Sequence, residues 1–394
     1  MQPAAHLPIA GGPARVARAL GALTLLAALA CAPAPAAPPA AAPASAAAPA
    51  AVSAPAAPAS PVPPGAPVAP AAPAAAAVAA PAPGAPPEKA TLAVAEAGVS
   101  STGLPLHVAN AAGYLQRHGL AVDVSTVAAN VAVQGLLSGT IDIYQGGTAA
   151  IAARLGGADV IYVGSLVDRS SLTLFGDHGL TSFADFRGKN VATGAIGAFG
   201  EIALLHTARE YGLVPHQDFE ISYYPSGAAT AAAFRSGSAQ GAIVTPPSST
   251  ELARDGYPVL VDYYRQGLKI IGPALAVTRG FAREHPNTLK AYMRALLDGM
   301  RRAVDDRDFA MAVHAQRAQV EDPRVVAEDY ELGYRLWNRD MTVDPASITI
   351  VLENSPLPNA RDANPADFYD NSLIAEINAT YAAALFPEAF RATR

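Results

Sequence analysis

From Thr91 onward two patterns alternate along the chain. Short runs dominated by apolar residues, TLAVAE, LAVDVSTV, TIDIY and DVIYVGSL, alternate with stretches whose apolar residues recur every three or four positions, LPLHVANAAGYLQRHG, AVQGLLSG and TAAIAARLGG. The first have the length and β-branched content of strands, and the second have the spacing of helices that bury one face. The pattern restarts at about Leu180: NVATG, FEISYYP, QGAIVTPP and PVLVDYY read as strands, and GEIALLHTAREYG, ATAAAFRSGS and SSTELARDG as helices. After KIIGPALAVTR the text is helical to the end, with PNTLKAYMRALLDGMRRAVDD its clearest amphipathic stretch. Strands that alternate with helices predict an α/β fold with mostly parallel sheets, because a parallel pair needs a crossover. The restart predicts two such units, followed by a helical C-terminal tail.

The front of the chain is different. Met1 to about Pro87 is dominated by Ala and Pro, which inflates the hydrophobic fraction of 51%. Arg15 and Arg18 precede the apolar run ALGALTLLAALA, which leads into Cys31. A basic start, a short apolar core and small residues at its end make an export signal, too short to serve as a permanent span. Cys31 is the only cysteine in the chain, so it has no disulfide partner within it. Ala28-Leu29-Ala30-Cys31 resembles a bacterial lipobox, although Leu is more usual where Ala28 stands, and by that resemblance Cys31 becomes the lipidated first residue of the mature protein; the alternative is an ordinary secretory signal with an incidental cysteine. Residues 32–87 are Ala/Pro-rich with no apolar periodicity, which predicts a disordered tether of up to roughly 170 Å at about 3.1 Å per residue. The net charge of −6 and the lack of a Lys/Arg block exclude a nucleic-acid grip.

Candidate chemistry gathers where strands end and helices begin. In open α/β sheets ligands sit outside the carboxyl ends of the strands, and helix N-termini offer free N–H groups there. Four such turns carry small or hydroxyl residues: Ser100, Ser101 and Thr102; Gly146, Gly147 and Thr148; Gly197, Ala198, Phe199 and Gly200; and Thr245 with Pro246. Each also reads as an ordinary β-to-α turn with an N-cap. TGAIGAFGE, residues 193–201, is neither a phosphate loop, for no G-K-[ST] follows, nor a dinucleotide G-x-G-x-x-G. Its Glu201 sits in the first helical turn, where it partly cancels the positive helix end, and is expected either to meet the ligand or to point into solvent. Tyr144 and Tyr223 are aromatic candidates for the ligand wall, with core packing as the alternative; Tyr224, beside Tyr223, falls on the opposite strand face. Arg169 is a candidate partner for a ligand carboxylate or for a neighbouring acid. The eight histidines form no metal pair, and neither H-E-x-x-H nor G-x-S-x-G occurs; neither catalytic residues nor cofactor nor metal are expected.

Taken in order, GYLQRHGLAVDV, AVQGLLSGTIDIYQGG, SFADFRGKNVATG and AAFRSGSAQGAIVTPPSSTELARDGYPVLVD resemble the nitrate/sulfonate/taurine-type substrate-binding proteins of ABC importers. The matching positions are Gly113-Tyr114, Gly119-Leu120, Leu137-Ser138-Gly139 with Asp142, Arg187-Gly188-Lys189, and Ser236-Gly237 with Pro246-Pro247, within residues 91–306. The resemblance implies a two-lobe type 2 periplasmic-binding-protein fold, with residues 88–175 and 277–394 in lobe I and 176–276 in lobe II, and hinge crossings near Leu172–Phe175 and Ile271–Val277. It implies an exported monomer, in the periplasm or at the cell surface, held to the membrane by the lipid on Cys31. Such a protein closes around a small organic molecule, a sulfonate, aromatic acid, pyrimidine or similar, and docks on the permease of an importer. Glu201 departs from the family turn, often Gly-Ser and anion-binding, and argues against a small anion; Phe199 suits a flatter organic ligand. Two other readings stay open: a ligand sensor partnering a membrane receptor, and more remotely an enzyme like the pyrimidine-precursor synthases, whose cysteine-rich motif is missing here.

Overall fold

The computed structural model describes residues 84–357 and 359–390. The expected signal segment, Cys31 and residues 32–83 of the expected tether lie outside the described residues, all of which fall within a single unit, Ala71–Arg394.

Among the described residues ten strands form two five-stranded sheets. The first contains β1 (Thr91–Glu96), β2 (Ala121–Thr126), β3 (Ile143–Gly146), β4 (Val160–Ser165) and β10 (Ala274–Thr278) in the order β2-β1-β3-β10-β4. The second contains β5 (Thr173–Gly176), β6 (Asn190–Thr193), β7 (Glu220–Tyr223), β8 (Gly241–Val244) and β9 (Val259–Asp262) in the order β7-β6-β8-β5-β9. In each sheet one strand runs against the rest: β10 is antiparallel to both β3 and β4, and β5 to both β8 and β9. The sheets are otherwise parallel, as the alternation predicts. The reversed strands are those entered or left by the chain as it passes between lobes, so no crossover helix dictates their direction.

Each sheet is covered on both faces. In lobe I, Leu92 and Val94 of β1 pack with Leu104, Leu106 and Val108 and with Leu289, Tyr292, Leu296 and Met300, all buried. The latter residues recur at three- and four-residue spacing along the helix Pro286–Asp305, which opens on Pro286 where its missing N–H costs nothing. Gly299 permits the close crossing, since a Cβ there would collide with the carbonyl of Pro105. The stretch LPLHVANAAGYLQRHG, read as one helix, is two, Leu104–Ala111 and Tyr114–Arg117, broken where Gly113 adopts φ of 73°. In lobe II, Phe183, Phe186, Val191, Leu204 and Phe219 form the core on one face, and Ala231, Phe234 and Leu252 on the other.

Two segments join the lobes, 166–172 and 263–273, because β5 already belongs to the second sheet and β10 to the first. They lie a few residues before the positions expected from the sequence. The segments bond each other through Leu166 N–H to Pro273 O at 2.9 Å and Ser170 N–H to Leu268 O at 3.0 Å. Lys269 on the second is paired with Asp168 on the first and lies 3.1 Å from Asp344, the N-cap of the helix Pro345–Asn354.

Candidate functional site

The carboxyl ends of β1, β3, β6, β7 and β8 each run into a helical segment, and the turns there hold most of the residues singled out in the sequence. The lobes meet at two of these turns. The Thr148 hydroxyl donates to the carbonyl of Gly197 at 2.7 Å. Beside it the Phe199 ring lies against Gly147, where a Cβ would strike the ring. Gly147 is therefore needed for the approach of the lobes. Gly197 is needed for its φ of 74°, a left-handed conformation that a side chain would strain. Ile202, one turn further along the helix Phe199–Glu210, is buried in a cluster with Ala95, Tyr144, Ala276 and Val351 of lobe I. On the outer side of that helix Arg209 pairs with Glu353 at 2.7 Å, and across the fold Arg254 pairs with Glu328.

Glu201 neither lies in solvent nor leaves its helix end bare. It is buried, and its carboxylate turns back to accept from the N–H of Gly197 and from the Tyr223 hydroxyl at 2.5 Å. Burial first, and then the bond and negative charge of Glu201, push the Tyr223 hydroxyl well above the ordinary tyrosine range. Ala198, the N-cap, supplies no side-chain bond, so the first turn is capped only by this acid. Beneath the turn, Gly200 leaves room for the Thr193 hydroxyl, which is fully buried and has no hydrogen-bond partner among the described residues.

The remaining candidates divide. Ser100 and Thr102 share a 2.7 Å hydroxyl contact at the surface, whereas Ser101 is buried and its carbonyl accepts from Trp337 Nε1 at 3.0 Å. Tyr144 is 1% exposed, with its ring folded against Gly146, and burial pushes its hydroxyl up to about 12. It packs in the core cluster behind the turn rather than on an open wall. Thr245 is exposed and Pro246 half-buried, joined to Pro247 by a cis peptide bond. Tyr224 is half-buried and bonds through its N–H to Thr193 O at 2.9 Å. Arg169 lies in the first connecting segment, exposed, with its nearest acid Asp168 at 3.8 Å.

Two further polar residues stand at the ends of the same strands. Gln145 is 3% exposed and accepts from the Tyr292 hydroxyl at 3.2 Å. Glu96 is buried against His107 at 2.9 Å, Arg317 at 2.8 Å and the Thr126 hydroxyl at 3.1 Å. Each is a polar residue ending an otherwise apolar strand, a signal available in the sequence. Both are held by side chains of neighbouring elements and serve to fix the strand ends. Among the described residues no group of three or more His, Cys, Asp or Glu is placed to hold a metal ion, and no helix is long and apolar enough to cross a membrane.

Solved structures share this fold at low identity. The alkanesulfonate-binding protein SsuA from Xanthomonas axonopodis pv. citri, bound to MOPS, superposes with a TM-score of 0.58 at 20% identity, covering 72% of this chain and 99% of its own. The periplasmic nitrate-binding protein NrtA from Synechocystis PCC 6803 gives 0.55 at 15% identity, covering 78% and 89%. The desulfurization enzyme DSZB gives 0.52 at 17% identity, covering 73% and 99%, so the fold carries an enzyme as well as binding proteins. Among curated protein sequences none matches this chain. The two-lobe architecture agrees with a sequence match to the family described as NMT1/THI5 like, which spans residues 101–310, and the chain belongs to that family.

Proposed function

We propose that this chain is an exported solute-binding protein that holds a small organic molecule between its lobes and delivers it to the permease of an ABC importer. The observation that carries the reading is the meeting of Gly147 and Thr148 with Gly197 and Phe199: strand-end turns from two separate sheets face each other, which is where an α/β protein binds small molecules. The ligand lies against these turns, with the hydroxyls of Ser100, Thr102 and Thr245 at the neighbouring strand ends. Rotation about segments 166–172 and 263–273 opens and closes the lobes, and the ligand drives closure by making better contacts in the closed form. The protein binds and releases without chemistry, as a monomer. Cys31 carries the lipid that holds it to the membrane, and the Ala/Pro-rich tether lets the lobes reach the permease.

Support for transport over catalysis comes from the site itself. The buried histidines, His107, His118 and His314, are each engaged by an acid, Glu96, Asp298 and Asp329, in structural pairs. The test is whether any small molecule both raises the melting temperature of the full chain and is recovered unaltered. Recovery of a converted product would replace the binding reading with an enzymatic one. A Cys31→Ser variant that remains membrane-bound would remove the anchor.

A further inference from the structure

Five acidic side chains are buried among the described residues, and four of them have a basic partner. Glu96 meets His107 and Arg317, Asp142 meets Lys89, Asp298 meets Arg117 and His118, and Asp329 meets His314. Glu201 is the exception: its only bonds are from the Gly197 N–H and the Tyr223 hydroxyl. A buried carboxylate without a cation is costly, and an ionised one offers about four acceptor sites, of which two are used here. The residue stands where the two lobes meet, one position beyond the Gly200 whose neighbour, the Thr193 hydroxyl, is also buried without a partner. A buried acid with no basic partner, beside a buried hydroxyl at the end of β6 with no hydrogen-bond partner, among described residues that give every other buried acid a basic partner, marks a place where the partner comes from outside.

Resting on the solute-binding reading, we infer that the ligand carries a cationic N–H group, an organic ammonium or amidinium, which Glu201 receives while the Phe199 ring covers its apolar part. The same carboxylate rejects anions. It occupies the Gly197 N–H that an oxyanion would use and adds repulsion, and Arg169 and Lys269 of the connecting segments offer no relief. Arg169 is exposed beside Asp168, and Lys269 is engaged by Asp168 and Asp344. Glu201 is thus the specificity-determining residue of the site.

Two readouts on the full chain test this. In the absence of ligand, Glu201→Gln is expected to melt no lower than wild type, because the neutral amide removes an unpaired buried charge. Glu96→Gln and Asp298→Asn, which break paired acids, are expected to melt lower. A fall for Glu201→Gln like that of the two controls overturns the inference, since it means the carboxylate is already satisfied inside the protein. In calorimetry, benzamidinium and benzenesulfonate present similar rings with opposite charge. Wild type is expected to bind benzamidinium at least tenfold more tightly, and Glu201→Gln to lose that preference. Benzenesulfonate binding as tightly or more tightly to wild type overturns the inference while leaving solute binding intact. Silence with both probes counts against solute binding instead, and the ligand-free melting of Glu201→Gln then decides the inference by itself.

Discussion

The hydroxyl of Thr148 on one lobe donates to the carbonyl of Gly197 on the other over 2.7 Å, so the lobes are joined by a direct hydrogen bond between two strand-end turns. A neutral bond of this kind contributes about 0.5–1.5 kcal/mol. Thr148→Val keeps the shape and removes the donor. Calorimetry with a bound ligand is expected to show affinity reduced by about threefold to tenfold, with the melting temperature of the unliganded protein nearly unchanged.

Gly147 makes the companion argument through sterics. A methyl group there would collide with the Phe199 ring, which must then leave its seat between the lobes. Gly147→Ala is expected to enlarge the radius of gyration in small-angle scattering and to weaken ligand binding more than Thr148→Val does. Unchanged scattering and affinity would mean that the two turns do not limit closure.

Lys269 ties the connecting segments to each other and to the helix Pro345–Asn354. Burial alone would lower its ammonium, but hydrogen bonds and charge from Asp168 and Asp344 more than offset this and raise it above the ordinary lysine value. A group whose pKa is raised by folding contributes stability that is fully present below the unfolded value of about 10.4 and is lost as pH rises through the folded one. Lys269→Met is therefore expected to lower the melting temperature by about 2–4 °C per kcal/mol lost, evenly between pH 6 and 9, with the difference vanishing at higher pH. A difference that grows with alkali would contradict the ion-pair account.

Buried tyrosines set the alkaline limit. Burial raises the hydroxyls of Tyr144, Tyr162, Tyr263 and Tyr292, Tyr144 to about 12. The folded state keeps these protons where the unfolded chain, with tyrosine values of about 10, has lost them, so stability falls as pH rises beyond about 10. Spectrophotometric titration of the 14 tyrosines is expected to show an exposed group ionising near the ordinary value and a second group ionising only together with loss of circular dichroism. A single reversible transition in the folded protein would contradict the burial assigned to Tyr144.

Replacing the acid at the helix start should reverse its selectivity. Glu201→Ser frees the Gly197 N–H and restores the positive end of the helix Phe199–Glu210. Binding of taurine or nitrate is expected to improve at least several-fold over wild type by calorimetry. Unchanged or weaker binding would remove the helix start from the anion argument.

Much of this architecture was written in local pattern. The strands, the amphipathic helix Pro286–Asp305 and the restart of the α/β pattern follow from periodicity, because burying one face of a helix or both faces of a strand leaves a trace in a single stretch of text. The reversal of β5 and β10 left none, for it depends on which distant strand each one meets. For the same reason the connecting segments could be placed only to within a few residues. At the site, the strand-end turns were legible from Gly, Ser and Thr, whereas the roles of single side chains were not. Tyr144 sits on a strand covered on both faces, so alternation does not tell a core ring from a ligand wall. Glu201 was readable as the first-turn acid, but its turn back to Gly197 and Tyr223 depends on a loop and a strand end that only the fold brings together.

The central claim is that the facing turns close on a small molecule. The most direct measurement is the melting temperature of the full chain against sulfonates, nitrate, aromatic acids, pyrimidines, flavins and organic amines. A ligand at 100 times its dissociation constant stabilises the folded form by about 2.7 kcal/mol. The account requires one chemical class to raise the melting temperature clearly, and Thr148→Val to reduce that rise. A melting temperature that no compound moves would contradict it.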